Sequence, residues 1–300
     1  MATDTEREFR AGIVALGGRS NVGKSTLLNR LVGRKVAIVT PRPQTTRGRI
    51  MGVRTDRDAQ LLILDTPGIH DSPKDLNRRM VDNARRALGE GEVILGVVEA
   101  GAKLDPRDRA ALGELVKIGA PLVIVINKVD RHPRENLLPL IEEVSREFPG
   151  REIVPVSALR GENLDELLAT VKAMLPESPA LMPEDEYTDQ TERMIAAEVI
   201  REKIFLKMRQ EIPFSSAVRI EKFVEETERG LKRISAVIVI ERESHKGMVI
   251  GAGGRTLKEI GTAARLELEK LLDARVYLEL VVRVEPNWTR DPRKMSELGL

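Results

Sequence analysis

The chain has 300 residues, and its 49 lysines and arginines nearly balance its 47 aspartates and glutamates, for a formal net charge of +2. It has no cysteine and only three histidines, which excludes disulfides and cysteine-ligated zinc and argues against a histidine-rich metal site. The balanced charge argues against a broad cationic surface, so we expect no duplex DNA partner, and no apolar run is long enough to span a membrane.

The first half of the chain alternates apolar runs with amphipathic stretches, which is typical of a doubly wound α/β domain. The runs suit parallel strands that are buried on both faces, and they are Ile13–Leu16, Leu61–Leu64, Val93–Val98, Leu122–Ile126 and Ile153–Val156. The stretch "GRIMGVRTDRDAQLLILD" predicts instead two neighbouring strands joined by a turn at 55–59, forming an antiparallel edge. We therefore predict one mostly parallel sheet with helices on both faces, over residues 1–175.

The pattern changes at "PESPALMPEDEYTD", which holds three prolines and an acidic cluster and is typical of a linker, here 176–188. The second domain, predicted over 189–285, begins with a helix over 189–210 and continues with two strands that turn at 228–230. A short apolar stretch, a glycine loop, a longer helix and a last strand complete the order α-β-β-α-loop-α-β. Residues 286–300 are left as a C-terminal tail.

The first glycine loop, "GRSNVGKS" at 18–25, follows a predicted strand and opens a helix, as the phosphate-binding loop pattern requires. Its glycines let backbone N–H groups turn towards phosphates, and the helix N-terminus adds positive potential. We expect Lys24 to reach the β- and γ-phosphates and the hydroxyl of Ser25 to bind Mg²⁺.

Three further motifs follow predicted strands, so they converge on the carboxyl edge of the sheet, where α/β folds bind ligands. They are Asp65-Thr66-Pro67-Gly68, Asn127-Lys128-Val129-Asp130 and Ser157-Ala158. The Asn-Lys-Val-Asp motif alone could be a polar turn, but four motifs in order at strand ends predict one nucleotide site.

This set of motifs resembles the GTPases. The resemblance implies that Asp130 accepts hydrogen bonds from guanine, that Asn127 holds base and loop together, that Lys128 packs along the ring and that Ala158 meets the guanine oxygen. It also implies that Asp65 holds Mg²⁺ through water, that Gly68 contacts the γ-phosphate, and that a threonine of "TPRPQTTR" binds Mg²⁺, with Thr46 preferred over Thr45. The complete predicted nucleotide set is Gly18, Arg19, Ser20, Asn21, Val22, Gly23, Lys24, Ser25, Thr26, Asp65, Thr66, Pro67, Gly68, Asn127, Lys128, Asp130, Ser157 and Ala158.

For catalysis the resemblance points to Lys24, Thr46, Gly68 and Asn21. Ile69 stands where Ras-like GTPases carry a water-orienting glutamine, and because isoleucine makes no such hydrogen bond we expect slow turnover or help from another group. In relatives with the same loop sequence the asparagine at this position helps to bind K⁺, so K⁺ is a further expected ion. A purely structural role of Asn21 in the loop is the alternative.

The second glycine loop, Gly251-Ala252-Gly253-Gly254, has the form GxxG, with which KH domains clamp single-stranded nucleotides. A plain helix–helix turn is the alternative, but the α-β-β-α-GxxG-α-β order is that of an α+β type II KH fold. We predict an RNA site formed by His245, Lys246, Gly251, Ala252, Gly253, Gly254, Arg255 and Lys258.

Taken together, "GRSNVGKSTLLN", "QTTR", "DTPGIH", "NKVD", "MVIGAGGRTLKEIG" and "VYLELVVRVEPNW" resemble the Era family of bacterial GTPases. The resemblance implies GTP or GDP and Mg²⁺ as ligands, binding to the 3′ region of 16S ribosomal RNA, and assistance to 30S subunit assembly. It also implies a monomer in the cytoplasm, with weak peripheral association with the inner membrane. Two alternatives remain: an RNA-binding module regulated by GTP with incidental hydrolysis, and a tRNA-modification GTPase, against which the KH-like region argues.

Overall fold

A computed structural model describes residues 9–68 and 75–298 of the chain, so Ile69 lies outside the described residues. The chain divides into two units between Asp189 and Gln190, and the segments Ile38–Thr45 and 75–79 group with the second unit. Within the described ranges, no helix is both long and apolar enough to cross a membrane.

The first unit is built around a six-stranded sheet in the order β2-β3-β1-β4-β5-β6. Its strands are β1 Arg10–Gly17, β2 Ile50–Thr55, β3 Ala59–Asp65, β4 Val93–Glu99, β5 Leu122–Asn127 and β6 Glu152–Pro155. Its helices are α1 Lys24–Val32, α2 Asp75–Gly89, α3 Pro106–Val116, α4 Leu137–Glu147 and α5 Leu164–Met174. Strand β2 pairs antiparallel with β3 and all other pairings are parallel, which confirms the predicted edge.

Alternate residues of the central strands enter two separate cores, one on each face of the sheet. In β5, Val123 and Val125 pack in one core with residues of α1 and α5, whereas Ile124 and Ile126 pack in the other with residues of α3 and α4. This explains why the strands appear in the sequence as continuous apolar runs, and it confirms the α/β class. Strand β1 lies between β3 and β4, so the strand order reverses there and opens a crevice at the carboxyl ends.

The second unit has a three-stranded sheet in the order β7-β8-β9, with β7 antiparallel and β9 parallel to β8. Its elements are α6 Glu192–Lys207, β7 Ser216–Glu226, β8 Leu231–Ile240, α7 Glu243–Ile250, α8 Arg255–Leu271, β9 Arg275–Val284 and α9 Pro292–Glu297. Ile260, Ala264 and Leu268 on α8 are buried in the core of this unit with Val276 and Val282 on β9, as their spacing predicts. The order α-β-β-α-α-β is that of a type II KH fold.

Two stretches are more ordered than the sequence suggests. The segment predicted as a linker runs along the first unit, where Ala11 and Val53 donate backbone hydrogen bonds to the carbonyls of Pro176 and Tyr187. The predicted tail is folded into the second unit, because Trp288 is fully buried and its indole N–H donates to the carbonyl of Ser215 at 3.1 Å.

Candidate functional site

The phosphate loop between β1 and α1 has a backbone that few residues tolerate. Gly18, Asn21 and Gly23 have φ values of 136°, 66° and 100°. A Cβ atom on Gly18 would collide with the carbonyl oxygen of Val97, so the loop packs directly on β4. The glycines are therefore required by backbone conformation and by close packing together.

Lys24 lies inside this loop. Its Nζ donates to the carbonyl oxygens of Gly18 and Arg19 at 3.0 and 2.9 Å, and the residue is only 6% exposed. Burial lowers the pKa of Lys24 to about 8, although the carboxylates of Asp65 and Asp108 act in the opposite direction. A buried ammonium group at the centre of a ring of backbone groups is suited to bind phosphate oxygens.

The Asn-Lys-Val-Asp motif ties the end of β5 to the phosphate loop. The amide of Asn127 donates to the carbonyl of Val22 at 2.8 Å, and its oxygen accepts from the backbone N–H of Ala158 at 3.0 Å. Lys128 donates to the carbonyl of Asn21 at 2.6 Å. The predicted base-reading and phosphate-binding segments are thus in direct contact.

Asp130 stands beside the Ser157-Ala158 loop, as the sequence predicts. The hydroxyl of Ser157 donates to one carboxylate oxygen of Asp130 at 2.6 Å, and Arg160 lies 4.0 Å from the other. Arg30, in the last turn of α1, donates to the carbonyls of Ala158 and Leu159 and fixes this loop from behind. A fixed carboxylate of this kind can accept the paired N–H donors of a guanine base.

Three oxygen-bearing side chains converge next to Lys24. The hydroxyl of Ser25 lies 2.5 Å from Asp65 Oδ2 and 3.0 Å from the hydroxyl of Thr46, which itself lies 3.2 Å from the same carboxylate oxygen. Asp65 is fully buried and its Oδ1 has no partner among the described residues. Burial raises the pKa of Asp65, while Lys24 and the two hydroxyl groups act to lower it.

The two threonines of the predicted metal loop differ in their partners. The hydroxyl of Thr45 bonds to that of Thr40 at 2.6 Å and to the carbonyl of Arg42 at 2.9 Å, whereas Thr46 faces Ser25 and Asp65. Of the two threonines, Thr46 is therefore the one that lies next to the other oxygen-bearing side chains.

The remaining residues of the Asp-Thr-Pro-Gly motif connect β3 to the phosphate loop. The hydroxyl of Thr66 donates to the carbonyl of Leu16 on β1 at 2.8 Å. Gly68 lies against the backbone of Ser20 so closely that a Cβ atom would collide with it. Four motifs that are distant in sequence thus form one continuous site.

The GxxG loop lies between α7 and α8 in the second unit. Gly253 and Gly254 have φ values of 58° and 79°, and a Cβ atom on either would meet nothing within 4 Å. Ala252, Gly253, Arg255 and Lys258 are exposed. The loop therefore presents its backbone to solvent.

The other predicted RNA residues lie on α7. Lys246 stands 3.7 Å from Glu243, and the Nδ1 atom of His245 is buried without a partner in the described part of the chain. Next to the loop, a groove of about 270 Å³ separates α8 from the edge strand β9. Its lining comprises Leu257, Lys258, Gly261, Thr262, Arg265, Leu278 and Leu280.

Sequence reasoning missed several residues of both sites. Leu278 and Leu280 line the groove, but their alternation in the sequence indicated only one face of the last strand, and Gly261 was not singled out. In the first unit, Glu99 and Asp108 contact the side chain of Arg19. Asp108 falls on the same helical stripe as Ala111, Leu112 and Leu115, and an acidic residue at such an inward position could have identified it.

The fold and the site define a GTPase that carries a KH domain. Residues 13–128 match the family model described as a 50S ribosome-binding GTPase, and residues 211–289 match that of the KH domain. The chain is 47% identical to GTPase Era of Syntrophus aciditrophicus, over 97% of this chain and 95% of that protein. It is 45% identical to GTPase Era of Geobacter metallireducens, over 98% and 99% of the two chains.

Solved structures agree with these matches. A variant of Aquifex aeolicus Era bound to GDP·AlF₄⁻ has a TM-score of 0.93 with this chain at 44% identity, covering 97% of this chain and 99% of that one. A structure of Era in complex with MgGDPNP and nucleotides 1506–1542 of 16S ribosomal RNA has the same TM-score, identity and coverage. The chain belongs to the Era family of GTPases.

Proposed function

We propose that this GTPase couples GTP hydrolysis to binding of the single-stranded 3′ region of 16S ribosomal RNA and assists assembly of the 30S subunit. The observation that carries the RNA role is the exposed GxxG backbone beside a groove lined by leucines and cationic residues, in a chain that also has a candidate guanine-nucleotide site. A solved Era structure contains both an Mg-bound GTP analogue and an RNA of this kind, which supports the proposal.

In the nucleotide site, Asp130 selects guanine because its carboxylate accepts the N1–H and 2-amino protons. Adenine offers neither donor and would leave a desolvated carboxylate unpaired, at a cost of about 1–3 kcal/mol. Lys24 and the N–H groups of the phosphate loop bind the β- and γ-phosphates and stabilise charge that develops in the transition state.

Ser25, Thr46 and Asp65 are suited to hold Mg²⁺, because hard oxygen ligands are what this ion prefers. The unpartnered, buried Oδ1 of Asp65 supports this assignment, since a buried carboxylate oxygen without a donor is otherwise costly. When bound, Mg²⁺ would supply positive charge that compensates the negative charge of the phosphates. The hydroxyl groups of Ser25 and Thr46 would determine the position of the ion and therefore of this positive charge.

In the KH unit, the exposed glycines allow a phosphate backbone to approach the loop, and the N-terminus of α8 points towards it. Arg255 and Lys258 add positive charge next to the loop. The aliphatic floor of Leu257, Leu278 and Leu280 can receive bases without aromatic stacking. The groove therefore suits a short single-stranded segment.

The RNA role is tested with Gly253→Asp, which places a negative side chain where a phosphate would lie. We expect at least tenfold weaker binding of a fluorescent RNA with the 16S 3′ sequence, and unchanged GDP affinity. Gly230→Asp is the matched control, because Gly230 has a φ of 55°, against 58° at Gly253, and equally open surroundings in the same unit.

Gly230→Asp should share the stability loss of Gly253→Asp in thermal melts and retain RNA binding. A folded Gly253→Asp protein with wild-type RNA affinity would place the RNA site elsewhere and reduce GxxG to a turn. Crosslinking in a cell extract with sequencing of the bound RNA identifies the natural target. Stimulation of turnover by that RNA separates a coupled GTPase from an RNA-binding module with incidental hydrolysis.

We also propose that K⁺ binds near Asn21, which is exposed in the phosphate loop, and assists GTP hydrolysis. Replacing K⁺ by Na⁺ should slow hydrolysis, and Asn21→Ala should abolish the difference; equal rates in both salts would assign Asn21 to loop structure alone. The cytoplasmic location, the monomeric state and peripheral association with the inner membrane stay predictions of the family resemblance.

A further inference from the structure

Arg19, in the phosphate loop, is surrounded by carboxylates that belong to no nucleotide-binding motif. Its Nε donates to Asp108 Oδ1 at 2.6 Å, and its Nη2 lies 3.3 Å from Glu99 Oε2. The side chain of Asp108 is fully buried on α3, and its second oxygen accepts from the backbone N–H of Glu99 at 3.3 Å. Asp105 is a third and more distant carboxylate, at 3.9 Å from Nη2.

Glu99, at the end of β4, links this ion pair to the base-reading motif. Its Oε1 lies 3.0 Å from Nζ of Lys128, while its Oε2 faces Arg19. Lys128 in turn donates to the carbonyl of Asn21 in the same phosphate loop. The contacts form a closed ring that grips the loop at two points, the side chain of Arg19 and the carbonyl of Asn21.

We propose that Asp108 and Glu99 are positioning residues that hold the phosphate loop in its binding conformation through Arg19 and Lys128. Asn21 in this loop has a φ of 66°, and a non-glycine residue persists in such a conformation only where its surroundings enforce it. A loop that is already ordered loses less conformational entropy when a nucleotide binds. Asp108 and Glu99, which lie outside the nucleotide-binding motifs, thereby raise the affinity of the protein for nucleotide.

Carboxylates close to a phosphate site also repel phosphates, which would lower affinity. In this ring each carboxylate is paired with a cation, so the repulsion is largely neutralised and the ordering effect dominates. The two effects differ in their dependence on ligand charge. Loss of loop ordering weakens the binding of GDP and GTP to the same extent. Relief of repulsion strengthens the binding of GTP more than that of GDP.

The test is Asp108→Asn, which preserves side-chain shape and removes the charge. We expect the dissociation rate constants of mant-GDP and mant-GMPPNP, measured by stopped flow, to rise about tenfold for both. Asp105→Asn is the matched control, because it makes the same carboxylate-to-amide change three positions earlier and asparagine is an equally good helix N-cap. It should change either rate constant by less than about twofold.

A double-mutant cycle shows whether Asp108 acts through Arg19. Arg19→Ala should accelerate dissociation about as much as Asp108→Asn, and the double variant should be no faster than either. Additive effects would overturn the assignment, as would an unchanged rate or tighter GTP binding in folded Asp108→Asn. Dissociation rates report on folded protein only, so a role confined to stability would lower the melting temperature and leave them unchanged.

If Asp108→Asn does not fold, Glu99→Gln provides the test, since Glu99 is partly exposed and pairs with both Arg19 and Lys128. Its dissociation rates should also rise several-fold, and wild-type rates would overturn the proposal. The inference rests on guanine-nucleotide binding by the chain and not on the RNA role. A titration of the wild-type protein with mant-GDP tests that binding separately.

Discussion

The two glycine loops of this molecule differ in their surroundings. In the phosphate loop, a Cβ atom on Gly18 would collide with the carbonyl of Val97, and one on Gly23 would collide with the amide of Asn127. In the GxxG loop, a Cβ atom on Gly253 or Gly254 would meet nothing within 4 Å. The phosphate loop is therefore packed against its own protein. The GxxG loop is open at Gly253 and Gly254, whereas a Cβ atom on Gly251 would collide with Thr256.

This difference follows from what each loop recognises. A nucleotide is small, so its site must be assembled beforehand from many donors and held by neighbouring elements. An RNA strand brings its own extended backbone, and its phosphates can reach a loop only if the loop stays uncovered. The phosphate loop should therefore be sensitive to any change, whereas the GxxG loop should respond mainly to changes that obstruct RNA.

The largest expected effect is that of Gly18→Ala. The new methyl group meets a backbone carbonyl and a φ of 136°, neither of which can adjust cheaply. We expect GDP affinity to fall at least about 100-fold by isothermal titration, together with a lower melting temperature. Wild-type GDP affinity in this variant would contradict the expectation that the phosphate loop is sensitive to small changes.

Asp130→Asn should act next most strongly, and on the choice of base. Loss of a desolvated carboxylate acceptor should weaken GTP binding about 10- to 100-fold and improve binding of XTP, whose C2 carbonyl accepts from the new amide. Competition between GTP, XTP and ATP measures this change. Retained preference for GTP over XTP would remove Asp130 from the base site.

The pair Thr46→Ala and Thr45→Ala sharpens the assignment of the metal ligand. Thr46 faces Ser25 and Asp65, so its loss should lower kcat for GTP hydrolysis about tenfold at fixed Mg²⁺. Thr45 bonds to Thr40 and Arg42 instead, so Thr45→Ala should lower kcat by less than about twofold. The reverse order would transfer the role to Thr45.

The smallest effect is expected for Gly253→Ala. The methyl group enters open space, so only the positive φ contributes, at about 1 kcal/mol of unfolding free energy. Gly230→Ala should lose a similar amount, which urea denaturation of both variants can establish. A much larger loss at Gly253 alone would show that the GxxG loop is packed more tightly than the open surroundings indicate.

The sequence was sufficient to predict the strands, the domain order and the nucleotide motifs, because burial on both faces and phosphate binding each require particular residue types at fixed spacings. It preferred Thr46 to Thr45 only by family resemblance, since no sequence pattern shows the direction of the two hydroxyl groups. It did not reveal the ring around Arg19, because an ion pair between β4, α3 and a loop has no local pattern. It did not predict that residues 176–188 are hydrogen-bonded to the first unit, because backbone groups, here those of Pro176 and Tyr187, make the contacts.

Trp288 is the one tryptophan of the 300-residue chain, and it is buried in the second unit with its indole N–H bonded to Ser215. Its fluorescence is therefore an intrinsic reporter of the KH unit in the intact, unlabelled protein. A denaturation curve followed by tryptophan emission records the opening of that unit, whereas far-ultraviolet circular dichroism records both units. Curves that coincide would show that the two units unfold cooperatively, and curves that separate would give each unit its own midpoint.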